Sequence, residues 1–300
     1  MKSFTFLKSG DTIGIVAPAR KITLEEINPA IQVIESWGLK VTIGKTIGKE
    51  YHQFAGTDEE RLQDFQEMLD NQNIKAIFCA RGGYGTVRII DLIDFRKFIK
   101  NPKWIVGFSD ITILHAHLEK VYNIASIHSI MPINFPESIP EALESLRKAL
   151  FGEPLFYKIQ THQFNRIGQA EGVLVGGNLS LIHTLMGTPS EIDTTDKILF
   201  IEDLDEYLYH IDRMLINLKR SGKLEHLAGL IVGGLTKMKD NDIPFGKTAE
   251  EIIREHVEEY EYPICFDFPA GHIPDNRALI IGKKVQLNVS DNESILDFKS

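Results

Sequence analysis

Cysteine is almost absent from this 300-residue chain. Only Cys79 and Cys265 occur, in the apolar runs Ile-Phe-Cys-Ala and Ile-Cys-Phe, and neither has a Cys-x-x-Cys partner. That excludes a disulfide-framed fold, a cysteine zinc site and a dithiol redox motif, and it fits two buried thiols in a reducing compartment. Long apolar runs are missing too. No stretch approaches the roughly 18 residues of a membrane-spanning helix, and residues 1–11 lack the apolar segment of a secretory signal. The chain reads as cytoplasmic, with no membrane partner. Positive charge is scarce: 33 Lys and Arg stand against 42 Asp and Glu, a net charge of −9, with no basic cluster to offset it. This argues against a nucleic-acid surface and leaves room for a small or cationic substrate. Neither a Gly-x-x-x-x-Gly-Lys-Ser/Thr loop nor a complete Gly-x-Gly-x-x-Gly is present, so no phosphate signature is complete.

What is present is ordinary globular material, 43% hydrophobic and 25% charged. A chain this long buries roughly three quarters of its unfolded surface and needs no staples. The first half alternates strand and helix. Strands are expected at residues 12–17, 41–43, 74–80, 104–108 and 125–128, and helices at 24–37, 58–69, 86–99, 110–122 and 139–150. Such alternation predicts a parallel, Rossmann-like sheet covered by helices on both faces. Residues 156–167 carry no strong period and read as a linker between an N-terminal domain, 1–155, and a smaller C-terminal domain, 168–300. The second half has strands at 169–175, 197–201, 227–233 and 263–268, with helices at 179–186, 208–219 and 248–260. A strand pair, 277–281 and 284–288, joined by Gly282-Lys283, and a last strand at 294–298 complete it. Short strands at the end predict an α+β domain with a mixed or barrel-like sheet.

Chemistry concentrates at the ends of these strands. Trp104-Ile105-Val106-Gly107-Phe108 runs into Ser109, and Asp110-Ile111-Thr112-Ile113-Leu114 opens a helix at once. A serine in that turn stands beside the unpaired first N–H groups of the helix, the arrangement that acyl transfer requires. The place of the second glycine of a Gly-x-Ser-x-Gly elbow is taken by Ile111, and a helix cap is the competing role for Ser109.

A serine nucleophile needs a base and an acid to orient it. Most of the ten histidines fall inside elements or on surface loops, among them His115, His117, His128, His183 and His210. His272 instead follows the strand Ile264-Cys265-Phe266-Asp267-Phe268, in the loop Pro269-Ala270-Gly271-His272-Ile273-Pro274-Asp275-Asn276. A turn-capping histidine is its alternative. Glu202 closes the strand Lys197-Ile198-Leu199-Phe200-Ile201 and is the candidate acid. Its neighbours in Glu202-Asp203-Leu204-Asp205-Glu206 also allow a divalent-metal loop or a solvated acidic turn. Arg81-Gly82-Gly83-Tyr84-Gly85 joins a strand to a helix, where backbone N–H groups can approach a phosphate, a carboxylate or an oxyanion.

Taken in order, these runs resemble the LD-carboxypeptidase family of serine peptidases. The matching segments are Ala80-Arg81-Gly82-Gly83-Tyr84-Gly85, Gly107-Phe108-Ser109-Asp110-Ile111-Thr112, Gly176-Gly177-Asn178-Leu179, Phe200-Ile201-Glu202-Asp203 with Tyr209 to Leu215, and Gly271-His272 followed by Asn276. The likeness spans nearly the whole chain. It implies a Ser109 nucleophile, a Glu202 acid and a His272 base. It implies an oxyanion hole from the backbone of Gly83 and Asp110, and substrate contacts at Arg81, Gly82, Tyr84, Gly85 and Asn178. The implied reaction removes the terminal D-alanine from cytoplasmic murein tetrapeptides, in a homodimer needing no metal or organic cofactor. The sister branch of microcin C immunity peptidases, which cleaves peptidyl- or aminoacyl-nucleotides in longer chains, is the enzymatic alternative. A two-domain module binding a small anion at its glycine turns is the non-enzymatic one.

Overall fold

The structure is a computed structural model that describes residues 5–298; the first residues of the stretch read for a signal sequence lie outside them. The N-terminal elements follow the predicted alternation: β1 (Thr12–Val16), α1 (Leu24–Ser36), β2 (Lys40–Ile43), α2 (Asp58–Asp70), β3 (Ile74–Cys79), β4 (Trp104–Gly107), α3 (Thr112–Tyr122), β5 (Ser126–His128) and α4 (Pro140–Phe151). The C-terminal elements are β6 (Phe156–Gln160), β7 (Gly168–Asn178), α5 (Leu179–Thr184), β8 (Ile198–Leu204), α6 (Leu208–Arg220), β9 (Gly229–Thr236), α7 (Ala249–His256), β10 (Ile264–Cys265), β11 (Leu279–Ile281), β12 (Lys284–Val289) and β13 (Glu293–Asp297). Helix starts follow local chemistry. Thr23 with Glu26, Thr57 with Glu60 and Thr248 with Glu251 form reciprocal capping boxes that occupy N–H groups the helices cannot satisfy themselves.

Two sheets result. The first has the order β11-β5-β4-β3-β1-β2, parallel except for β11, which pairs antiparallel with β5. Strands β1, β3, β4 and β5 are almost wholly buried, as a sheet covered on both faces requires, while the edge strand β2 is more open. The second has the order β10-β9-β8-β7-β12-β13-β6 and changes character at β7. The second half of β7 pairs parallel with β8, and its first half pairs antiparallel with β12. Arg166, in the connection from β6 to β7, bridges to Ile264 in the edge strand β10. The protein is thus α/β with a parallel sheet and a mixed sheet. The apolar core is shared between them: Phe78 and Ile127 cluster with Phe200, Ile231 and Leu287.

Three expectations are corrected. Residues 86–99 form no α-helix, only the short 3-10 turns Thr86–Arg88 and Ile90–Leu92. The ladder is interrupted because the Thr86 N–H donates to the Asp110 carboxylate at 2.8 Å and the Asp94 N–H to the Gln66 side chain at 2.8 Å. The aperiodic segment 156–167 contains β6, whose Tyr157 is buried and donates from its hydroxyl to the Ala278 carbonyl at 2.6 Å. Finally, β11 and β12 are not a hairpin. The Gly282 N–H donates to the Leu174 carbonyl, sending β11 to the first sheet and β12 to the second.

Candidate active site

The carboxyl ends of the central strands of both sheets carry the chemistry, the usual place for a site in open α/β sheets. Ser109 follows β4 and Phe108, and begins a 3-10 turn, Ser109–Ile111, that feeds α3. Its φ is +61°, a left-handed conformation that serine adopts only under constraint. The half-buried side chain thereby stands at the apex of a sharp strand-to-helix elbow. Gly82, from the turn after β3, presses against it. A β-carbon at Gly82 would lie 3.2 Å from the Ser109 Cβ and 3.4 Å from the Asp110 nitrogen. A side chain at Gly82 would make the elbow give by a few tenths of an ångström.

Two anchors hold the glycine turn there. The Asp110 carboxylate accepts from the Thr86 N–H, as noted above, and Arg61 of α2 donates to the Gly85 carbonyl at 3.0 Å and also to the Pro18 carbonyl. Arg61 is fully buried and pairs with Asp58. Burial pushes the Asp110 carboxyl above the usual range against the pull of its hydrogen bonds.

On the facing side, Glu202 of β8 is wholly buried and its Oε2 lies 2.6 Å from His272 Nδ1. The loop that carries His272 packs on Glu202 through Gly271, whose φ is +110°; a β-carbon there would lie 2.8 Å from the Glu202 Cβ. The Asn276 carboxamide oxygen accepts from the Gly271 N–H at 2.9 Å, and the Thr236 hydroxyl donates to the His272 carbonyl at 3.2 Å. Burial pulls the His272 pKa down, but the charge and hydrogen bond of Glu202, aided by Asp203, outweigh it, so the imidazole is more basic than usual. The two sides meet at Phe108. Its ring centroid lies 4.7 Å from that of His272 at 57°, and Ser109 is the next residue.

The chain matches the N-terminal domain model of LD-carboxypeptidases over residues 13–129 and the C-terminal domain model over residues 171–287. It belongs to the LD-carboxypeptidase family. It is 37% identical to a probable murein peptide carboxypeptidase of Bacillus subtilis, over 97% of this chain and 93% of that one. It is 26% identical to the microcin C7 self-immunity protein MccF of Escherichia coli, over 96% and 93%. The crystal structure of muramoyltetrapeptide carboxypeptidase from Oxalobacter formigenes superposes with a TM-score of 0.88 at 28% identity, covering 96% of this chain and 99% of that one.

Within this LD-carboxypeptidase each carboxylate of the acidic run at the end of β8 has its own protein partner. Glu202 takes His272, and Asp203 accepts from Asn178 at 2.9 Å and from the Ser180 N–H at 2.9 Å. Asp205 pairs with Lys239 at 2.9 Å, and Glu206 with His210. Among the described residues no group of three or more His, Cys, Asp or Glu side chains could hold a metal ion.

The remaining expected contacts divide. Gly83 and Tyr84 are exposed on the turn, with Tyr84 beside the Phe54 ring at 6.0 Å, and Arg81 is half-buried with its guanidinium 3.4 Å from the Lys21 carbonyl. Gly85 and Asn178 are held by contacts within the protein. Gly85 is buried on Arg61. The Asn178 carboxamide caps α5, accepting from the Leu181 N–H at 3.2 Å, and donates to Asp203 at 2.9 Å. The in-element histidines are structural. His115 is fully buried between the Ser126 hydroxyl and the Gly107 carbonyl, with its pKa pushed down to about 4 by burial. His128 is buried edge-on to Phe200 at 4.9 Å.

Sequence reasoning missed Arg61, whose burial is invisible in a helix rich in charge, and Lys237, in the left-handed conformation at φ +52° directly after β9. A lysine held where a glycine would relax the backbone was the only sequence-independent mark of that position. Beside His272, a cavity of about 210 Å³ is bounded by Phe108, Ile130, Leu204 and Lys237. A larger cavity of about 780 Å³ opens at the opposite end of the first sheet, by Lys75 and Lys103, away from the elbow.

Proposed function

We propose that this LD-carboxypeptidase is a serine enzyme that releases the terminal D-alanine from murein tetrapeptides. The observation that carries the reading is the buried Glu202–His272 pair, 2.6 Å apart, with His272 packed on Phe108, the residue before Ser109. In this reading His272 Nε2 takes the Ser109 hydroxyl proton as Oγ attacks the carbonyl of the L-centre. The oxyanion is received by the N–H groups of Asp110, at the head of the turn, and of Gly83. The C–N bond then breaks, the imidazolium gives its proton to the departing D-alanine nitrogen, and water hydrolyses the acyl-serine by the same base. Glu202 holds the Nδ1–H tautomer and stabilises the imidazolium.

The shared names of the relatives support the substrate. The reading also assigns the nucleophile to residues 1–155 and the acid and base to 168–300, joined through 156–167. It takes with it a cytoplasmic homodimer without metal or organic cofactor, for which the two free buried cysteines suit a reducing compartment. Nucleic acid and membrane are not partners in it; no helix among the described residues is long and apolar enough to cross a membrane.

The test compares tetrapeptides ending in D- and L-alanine by mass spectrometry, with fluorophosphonate labelling of the wild type and Ser109→Ala. Release of D-alanine only, and labelling only of the wild type, are expected. Equal rates on both epimers, or cleavage of an aminoacyl-nucleotide alone, would move the protein to another activity.

A further inference from the structure

We infer that Lys237 receives the free carboxylate of the substrate's terminal residue, and that the cavity beside it admits one small residue and no more. The inference rests on the carboxypeptidase reading above.

Direction comes first. The base that takes the serine proton must return it to the leaving nitrogen, so the leaving residue lies on the histidine's side of the scissile bond. His272 itself bounds the cavity of about 210 Å³, and no residue of the glycine turn that abuts Ser109 lines it. That cavity is therefore where the departing residue sits. Its volume falls below the roughly 300–1,000 Å³ typical of pockets for drug-sized ligands. It suits an alanine-sized residue, whose methyl meets Phe108, Ile130 and Leu204, and it excludes a nucleotide-sized leaving group.

Charge comes second. An exopeptidase distinguishes a chain end from a chain interior by its carboxylate, which calls for a cation. Lys237 is the cation that bounds this cavity. Its ammonium has no hydrogen bond or ion pair among the described residues, whereas Lys239, two positions on, is spent on Asp205. Arg81, the cation first expected in this role, lies with the glycine turn and points to the Lys21 carbonyl. Glu137, also at the cavity and exposed, would repel a carboxylate that is not held at Lys237.

Backbone comes third. Lys237 is held at φ +52°, and the preceding Thr236 is fastened to the His272 carbonyl by its hydroxyl. The carboxylate receptor and the base are thus tied into one unit, so that a bound chain end sets the position of the scissile nitrogen relative to His272.

The experiment measures kcat/KM on a murein tetrapeptide with a free D-alanine carboxylate and on its D-alaninamide analogue. The wild type should prefer the acid. In Lys237→Gln the acid-over-amide ratio should fall by about 10- to 100-fold, the worth of a charge-assisted contact. Lys237→Arg should restore part of it. A ratio unchanged in Lys237→Gln, or one that collapses in Arg81→Gln instead, overturns the assignment while leaving the carboxypeptidase reading intact. A wild type that cleaves neither peptide removes that reading and the role of Lys237 with it.

Discussion

Replacing Glu202 by Gln tests the core of the proposed chemistry. The substitution keeps the shape and removes one charge from a position with no solvent exposure, 2.6 Å from His272 Nδ1. The charge that stabilises the imidazolium as it forms would go. A second effect adds to it. The carboxamide can donate to Nδ1, which selects the tautomer whose Nε2 carries a proton and cannot take one from Ser109. In the serine-protease triad, amide replacement of the acid costs about 10⁴ in kcat. We therefore expect a loss of about 10²- to 10⁴-fold in D-alanine release. The pH profile gives the independent readout. Glu202 raises the His272 pKa above its ordinary 6.5, and catalysis needs the neutral ring, so the wild-type acid limb should fall off below a midpoint above 6.5. In Glu202→Gln the midpoint should move down, because the charge that favoured protonation is gone. Folding should survive, since a neutral carboxamide facing a neutral imidazole strands no buried charge. A loss under tenfold with an unmoved acid limb would refute the role of Glu202.

Ser109→Gly should abolish turnover, by about 10⁴- to 10⁶-fold, yet raise the thermal unfolding midpoint, because glycine relieves about 1 kcal/mol or more of strain at φ +61°; a midpoint below that of Ser109→Ala would contradict the strained elbow. Gly271→Ala should cost at least about 10-fold in kcat, since its new carbon would lie 2.8 Å from the Glu202 Cβ and displace the His272 loop; wild-type turnover in a variant of normal fold would show that this packing does not set the geometry. Treatment with EDTA should leave the rate unchanged, because every carboxylate of the acidic run has a protein partner; activity lost on chelation and restored by Mg²⁺ or Zn²⁺ would reverse that reading.

Local signals carried far in this chain, and they failed where a distant residue decides the backbone. Strand ends were legible because period-2 and continuous apolar runs stop at Ser109, Glu202 and the His272 loop, and helices were legible from their apolar spacing. Residues 86–99 misled because their apolar spacing suits a helix, while the deciding bonds come from Asp110 and from Gln66 of α2. The turn at Gly282 looked like a hairpin because a hairpin is the local solution. Its carbonyl partner, Leu174, belongs to β7, over a hundred residues earlier in the chain.

The same distinction separates the two sides of the site. The Glu202–His272 side could be anticipated, since Glu202 lies at the end of β8 and His272 in the loop after β10, and the sheet order β10-β9-β8 keeps the two strand ends near one another. The elbow side could be anticipated only in part. Asp110 was singled out for its backbone N–H, yet its side chain does separate work, fastening Thr86 so that Gly82 reaches Ser109. Arg61 completes that fastening from α2, a helix whose sequence reads as solvated charge. A buried carboxylate and a buried guanidinium, each bonded to backbone of the same turn, cost desolvation that a mere loop would not justify. Fixing the glycine turn against a strained serine does justify it, because donors for a developing oxyanion stabilise it only if they are already in place when the charge appears.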